Sequence, residues 1–166
     1  MRNAIRMGMV AALTIGSVLR AGAELPVKRV LTLSVAKRLV AAAEAEAGRR
    51  NATVVIVVVD DGGYPLLIER LDNTQVASVD VGIAKARTAA IFRRPSKVFE
   101  DQTKNGRVAA LALPGAVALQ GGLPLTLDGQ VIGAIGVSGN SPQEDEDIAA
   151  AGVAALPAAI PSSKEH

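Results

Sequence analysis

The sequence has no cysteine, no tryptophan and a single histidine, His166, at its last position, and its methionines, Met1, Met7 and Met9, all lie close to the start. Zinc, copper and iron centres are built mainly from cysteine and histidine, so such centres, zinc above all, are not expected in the body of the chain. A Ser-His-Asp triad is ruled out on the same ground, because no internal imidazole is present to shuttle a proton. Without thiols there are no disulfides, a state compatible with an oxidising compartment. Aromatic residues are limited to Tyr64, Phe92 and Phe99, which leaves little on which a planar ligand could stack.

Small and branched apolar side chains are abundant instead. Hydrophobic residues make up 49% of the 166 positions, enough to fill one core in a chain of single-domain length. Residues 1–23 read as a secretory signal peptide: Arg2 and Arg6 supply the positive start, residues 7–19 are uncharged and apolar, and Ala21-Gly22-Ala23 forms an A-x-A-like cleavage site. The apolar run is too short to span a bilayer, so the expectation is a periplasmic or secreted protein with no membrane span after cleavage. Cleavage removes three of the 18 lysines and arginines and none of the 16 acidic residues, so the formal charge of +2 becomes about −1. The basic character belongs to the leader, and nucleic acid is not an expected partner.

Residues 24–32 form a lead-in, residues 33–156 a single domain and residues 157–166 a flexible tail. Ser34 can cap a first helix that carries Val35, Leu39, Val40, Ala43 and Ala47 on one side and closes at Gly48. The β-branched run 53–59, then Asp61-Gly62-Gly63, then residues 64–71 read as a hairpin whose first strand is buried on both faces. Helical spacing returns from Val76 to about Phe92, and Pro95 breaks it and opens a short third helix ending near Thr103. Residues 116–120, 123–127 and 130–138 read as three further strands, the last two joined by Asp128-Gly129, a strong hairpin signal. Ser141, Pro142 and Glu144 make a capping box for a last helix. This order predicts an α/β single-domain sandwich with a five-stranded, mostly antiparallel sheet covered by helices.

Nucleotide loops are not found. No Gly-Lys-Ser/Thr follows the glycines, as a Walker A loop requires, and Gly133-Ala134-Ile135-Gly136 lies inside a strand with the wrong spacing for a dinucleotide fingerprint. Gly121 and Gly122 could bring backbone close to a ligand or simply make a tight turn. Lys85 and Arg87 lie mid-helix among small apolar residues and Arg70 closes a strand, so these cations could converge on a carboxylate, or could be solvated heads on apolar stems. The acidic run 144–147 could bind a cation, but better suits a helix N-terminus, where negative charge favours the dipole.

The motifs Val58-Val59-Asp60-Asp61-Gly62-Gly63, Lys85-Ala86-Arg87-Thr88-Ala89, Gly121-Gly122-Leu123-Pro124, Asp128-Gly129 and Gly133-Ala134-Ile135-Gly136-Val137-Ser138-Gly139, followed by Asp147 and Ala150, occur in an order that resembles the GlcG/HbpS-like family. That family includes the carboxy-terminal domain of PduO. The resemblance implies an α/β sandwich with a five-stranded antiparallel sheet, assembly into dimers and often octamers, and haem binding in several members, some of them exported. Other members accompany catabolic functions such as glycolate use. In haem binders of the family a hydroxyl residue just after a proline is a proposed iron contact, which corresponds here to Ser96. Haem iron is usually held by His, Cys, Met or Tyr, and the mature chain offers only Tyr64 and His166. Haem would then be held by apolar contact and by Lys or Arg on its propionates, which suits reversible capture or sensing.

Two readings follow. The first is an exported, homo-oligomeric binding protein, dimer to octamer, that takes haem or another small anionic ligand at Arg70, Lys85, Arg87, Ser96, Gly121 and Gly122. The alternative is a small-molecule enzyme or catabolic accessory for a short hydroxy- or oxo-acid, with Lys85 or an Asp as acid/base and Arg70 or Arg87 gripping the carboxylate. A purely structural oligomer would have no ligand pocket.

Overall fold

The computed structural model describes residues 25–160; the expected signal peptide, His166 and the end of the expected tail lie outside them. Residues 25–32 run extended into α1 (Leu33–Arg49). Thr32, not Ser34, is the cap: its Oγ1 accepts from the Val35 N–H at 3.3 Å, and the Ser34 hydroxyl lies 3.0 Å from it. The buried stripe Val35, Ala36, Leu39, Val40, Ala43 and Ala47 follows helical periodicity and packs onto the sheet.

The strands are β1 (Val55–Asp60), β2 (Pro65–Arg70), β3 (Gly122–Leu127) and β4 (Gln130–Ser138). They form one antiparallel sheet in the order β2-β1-β4-β3. Central β1 is buried on both faces, as its β-branched run predicts: Val54, Ile56 and Val58 meet the α1 layer, while Val55, Val57 and Val59 meet the opposite helix. That helix is α2 (Ser78–Phe92), which ends where Arg93 turns left-handed, two residues before Pro95. Then come α3 (Lys97–Lys104), a 3-10 segment over Val108–Ala112, α4 (Pro142–Ala154) and the helical turn α5 (Leu156–Ala159). The capping box on α4 forms as expected. Residues 156–159, which straddle the start of the expected tail, fold back with Leu156 and Ala159 buried in the α1 layer.

The five-stranded expectation needs correction: the sheet has four strands, because residues 116–120 are not a strand. Their backbone groups bond to side chains instead of a ladder. The Val117 N–H donates to Thr88 Oγ1 (2.9 Å), the Leu119 carbonyl accepts from Ser96 Oγ (2.6 Å), and the Gln120 N–H donates to Glu100 Oε2 (2.6 Å). Both β2 and β3 are therefore edges of the sheet.

One contact fixes the α2 layer. A Cβ on Gly136 of β4 would lie 2.5 Å from both the Gly82 carbonyl oxygen and the Ala86 nitrogen, so α2 rests with its backbone against the strand and only glycine fits there. This close seat carries Lys85, on the next turn of α2, toward the far end of β4.

Candidate functional site

Around Lys85 the chain brings together four of the six predicted residues. Lys85 lies on the buried side of α2, and its ammonium donates to Asp145 Oδ2 at 2.7 Å and to the Val137 carbonyl at 3.0 Å. The two side chains are 5% and 3% exposed, so this is a buried ion pair. Asp145 sits in the first turn of α4, where the helix dipole favours a carboxylate, and its Oδ1 accepts from the Asn140 N–H at 3.0 Å. Burial pushes its carboxyl above the ordinary aspartate value, against the pull of Lys85 and the Asn140 N–H.

The Gly121-Gly122 turn closes over this pair. Gly121 has φ +122°, and a Cβ there would lie 2.9 Å from Lys85 Nζ and 2.8 Å from the Val137 carbonyl. A Cβ on Gly122 would come within 2.2 Å of the Lys85 carbonyl oxygen. Ser96, just before α3, is fully buried and spends its hydroxyl twice: it donates to the Leu119 carbonyl at 2.6 Å and accepts from the Gly122 N–H at 2.9 Å. The Ser96 N–H also donates to the Gly122 carbonyl at 2.9 Å. Lys85, Ser96, Gly121 and Gly122 thus form an internal clasp that ties α2, α3, α4 and β4 together, with its polar atoms facing one another.

The two arginines lie elsewhere. Arg70 is exposed at the end of β2, opposite Val55. Arg87 points to the β1–β2 turn, with its guanidinium 5.7 Å from the centre of the Tyr64 ring. Asp145 is the member of the clasp that sequence reading misses, because the run 144–147 reads as a helix N-terminus or a cation site. Its phase was the available signal: Asp145 is three residues before buried Ile148 and so on the inner face of α4.

Beside the clasp, Gln120 is buried and its side chain donates to Gln143 Oε1 at 3.1 Å. Glu146 Oε2 is buried without a hydrogen-bond partner, and burial pushes that carboxyl above its ordinary value. On α3, burial works against the charged form of Glu100, but the Lys104 ammonium and the Gln120 N–H together hold its carboxyl below the usual range.

Two cavities open at the other end of the sheet, and neither is lined by any of the six predicted residues. One, of about 410 Å³, has apolar walls and is bounded by the lead-in, the start of α1, the β3–β4 hairpin and Ile160. The other, of about 880 Å³, is a polar recess that includes Lys28, Asp61, Arg93 and Asp128.

A haem tested against these groups does not fit at Ser96, whose hydroxyl is buried and already bonded on both sides. Among the described residues there is no His, Cys or Met, no group of three or more metal-ligating side chains, and the one phenol, Tyr64, is 64% exposed on a turn. No helix among them is long and apolar enough to cross a membrane.

A four-stranded antiparallel sheet between α1 with α4 on one face and α2 on the other, closed by a glycine-rich turn over a buried Lys–Asp pair, defines an α/β sandwich domain. The chain belongs to the HbpS-like family, described as "Haem degrading protein HbpS-like", which it matches over residues 31–154. It is 41% identical to Protein GlcG of Escherichia coli K12 over 111 residues, which cover 67% of this chain and 83% of that protein. Among solved structures, a double mutant of Streptomyces reticuli HbpS superposes with a TM-score of 0.74 at 31% identity, covering 92% of this chain and 99% of that one. A PduOC:heme complex superposes with a TM-score of 0.70 at 27% identity, covering 76% and 95%.

Proposed function

We propose that this protein is an exported, homo-oligomeric binding protein that captures haem or a similar anionic, largely apolar ligand reversibly. The observation that favours binding over acid/base chemistry at Lys85 is the clasp. Lys85, the residue best suited to act as a base, is held at 2.7 Å by a buried carboxylate, and Arg70 and Arg87 lie away from it. An acid/base needs an accessible proton path to a substrate, and the clasp gives Lys85 none. The haem part of the reading is supported by the family description and by the haem complex of a structural relative. Such a ligand would be held by apolar contact and surface cations rather than by ligated iron.

Assembly into oligomers is supported by apolar side chains that this protomer leaves in water, including Val108 at 67% and Leu111 at 60% exposed on one short segment. Light scattering coupled to size exclusion reads the oligomeric state directly. Titration of the mature protein with hemin is the central test: a saturable Soret shift at micromolar hemin is the expected result, and its absence overturns the haem reading.

A further inference from the structure

The apolar cavity at the lead-in uses none of the residues discussed so far for ligand binding. Its walls come from separate elements: Leu31 from the lead-in, Val35 from α1, Leu127 from β3, Ile132 from β4 and Ile160 from the end of α5. The floor is fixed. Leu31, Val35 and Ile132 are each less than a tenth exposed and belong to the main core. Leu31 is seated against Gly133, where a Cβ would come within 2.8 Å of its Cδ2. The cavity therefore exists before any ligand arrives, which spares the cost of ordering it.

Its mouth joins apolar wall to an arginine and the start of a helix. Arg29, Thr32 and Ser34 line it, and α1 begins there with no acidic residue in its first turn, so no carboxylate of that turn offsets the positive end of the 17-residue helix. Arg29 is held by Asp128 at 2.8 Å, but the two side chains are 56% and 67% exposed, and an ion pair in that setting contributes little and exchanges readily. The neighbouring polar recess carries both signs of charge along its wall and lacks this combination.

We infer that this cavity is a binding site for a small apolar carboxylate of the medium-chain acyl type. The acyl body lies against Leu31, Val35, Leu127 and Ile132, and the carboxylate sits at the mouth between Arg29 and the first turn of α1. At about 410 Å³ the cavity is toward the small end of ligand sites, a size that suits a compact acyl group better than a porphyrin. The inference stands apart from the haem reading, since octanoate can bind where hemin does not and the reverse.

The experiment is a titration of the isotope-labelled protein with sodium octanoate, followed by NMR. Saturable shifts are expected at the Ser34 and Val35 amides and at the Leu127, Ile132 and Ile160 methyls. Arg29→Glu should weaken binding about tenfold, equivalent to about 1.4 kcal/mol, and octanol should bind about tenfold more weakly than octanoate to the unaltered protein. Leu127→Trp should fill the cavity and abolish the methyl shifts, whereas Arg107→Glu, a charge reversal on an exposed loop, should leave affinity unchanged. Should Leu127→Trp fail to fold, the Arg29 and octanol comparisons decide alone. Four results would overturn the inference: no saturable shift at these residues, equal affinity in the Arg29→Glu variant, contacts in the ligand-free protein between the Leu127 or Ile132 methyls and Lys164 or His166, or shifts that follow protein concentration instead of octanoate. The last two would show the cavity filled by the chain's own tail or by a second copy.

Discussion

Replacing Lys85 with methionine separates a structural ion pair from a ligand-binding or catalytic lysine. In the intact protein Asp145 has two kinds of donor, the Lys85 ammonium on Oδ2 and the Asn140 N–H on Oδ1. Lys85→Met keeps the apolar stem but leaves Oδ2 without a donor at a site only 3% exposed. Removing one partner of a buried pair costs about 3–5 kcal/mol, which for a chain of this length lowers Tm by about 10 °C. The loss has a pH signature. Burial already places the Asp145 carboxyl above its ordinary 3.8, and without the ammonium it rises further, so the folded variant holds a proton there that the unfolded chain releases. A carboxyl raised by folding opposes stability as pH rises through that window. The deficit should accordingly be full at neutral pH and shrink as pH falls toward 4. Urea denaturation followed by circular dichroism between pH 4 and 8 reads both quantities. The double variant Lys85→Met/Asp145→Leu should recover part of the loss and remain about 1–3 kcal/mol below the parent, because the Val137 carbonyl keeps no donor. A deficit below about 1 kcal/mol at pH 7, or one that grows on acidification, would refute the reasoning. Unchanged stability with lost hemin binding would return Lys85 to the ligand site.

Other outcomes follow from the same geometry. Ser96→Ala strips a buried hydroxyl from the Gly122 N–H and the Leu119 carbonyl and should cost about 1–3 kcal/mol in urea denaturation, with hemin affinity unchanged; a selective loss of hemin binding would make Ser96 an iron contact after all. Gly122→Ala places a methyl 2.2 Å from the Lys85 carbonyl oxygen, so soluble expression and the Tm of whatever folds should both fall sharply. Ser141→Ala removes the α4 cap and should cost about 1 kcal/mol. Glu144, held below its usual 4.5 first by the Ser141 hydroxyl and then by the Ser141 N–H, contributes stability above that value that is lost as pH falls below it. Glu144→Gln should flatten this acid limb of a pH–Tm profile, and an unchanged limb would count against the capping-box account.

Elements whose instructions are local could be read from the sequence. The valine run of β1, the Asp128-Gly129 turn and the Ser141-Pro142-Glu144 box each encode their structure within a few residues, and each formed where expected. Residues 116–120 read as a strand because their apolar content matches one, while their hydrogen-bond partners, Thr88, Ser96 and Glu100, lie at least 20 positions away. The clasp was half legible. Lys85, Gly121 and Gly122 stand out by residue type and Ser96 by the family resemblance, and the four do meet, but the partner that defines their role, Asp145, is 60 residues from Lys85, and nothing near Lys85 announces it. The cavity at the lead-in was not legible at all, since it is assembled from five elements that touch only after the sheet has formed.

The seat of α2 on β4 at Gly136 bears on how this protein could signal occupancy. Protein interiors are dense and resist compression, and ligand-driven motions run through hinges, sliding packed faces and segments that order or disorder. Here α2 meets β4 backbone to backbone at Gly136, and around that point mostly small side chains, Ala86, Ala89 and Ala90 against Val55, Val57, Val59 and Ala134, separate helix from sheet, which leaves α2 little room to shift. A ligand at one end of the sheet has no lever through the centre. A message from that end would instead run along the rim, through the lead-in anchored by Leu31 and the connection between α3 and β3, whose backbone is held by the Thr88, Ser96 and Glu100 side chains.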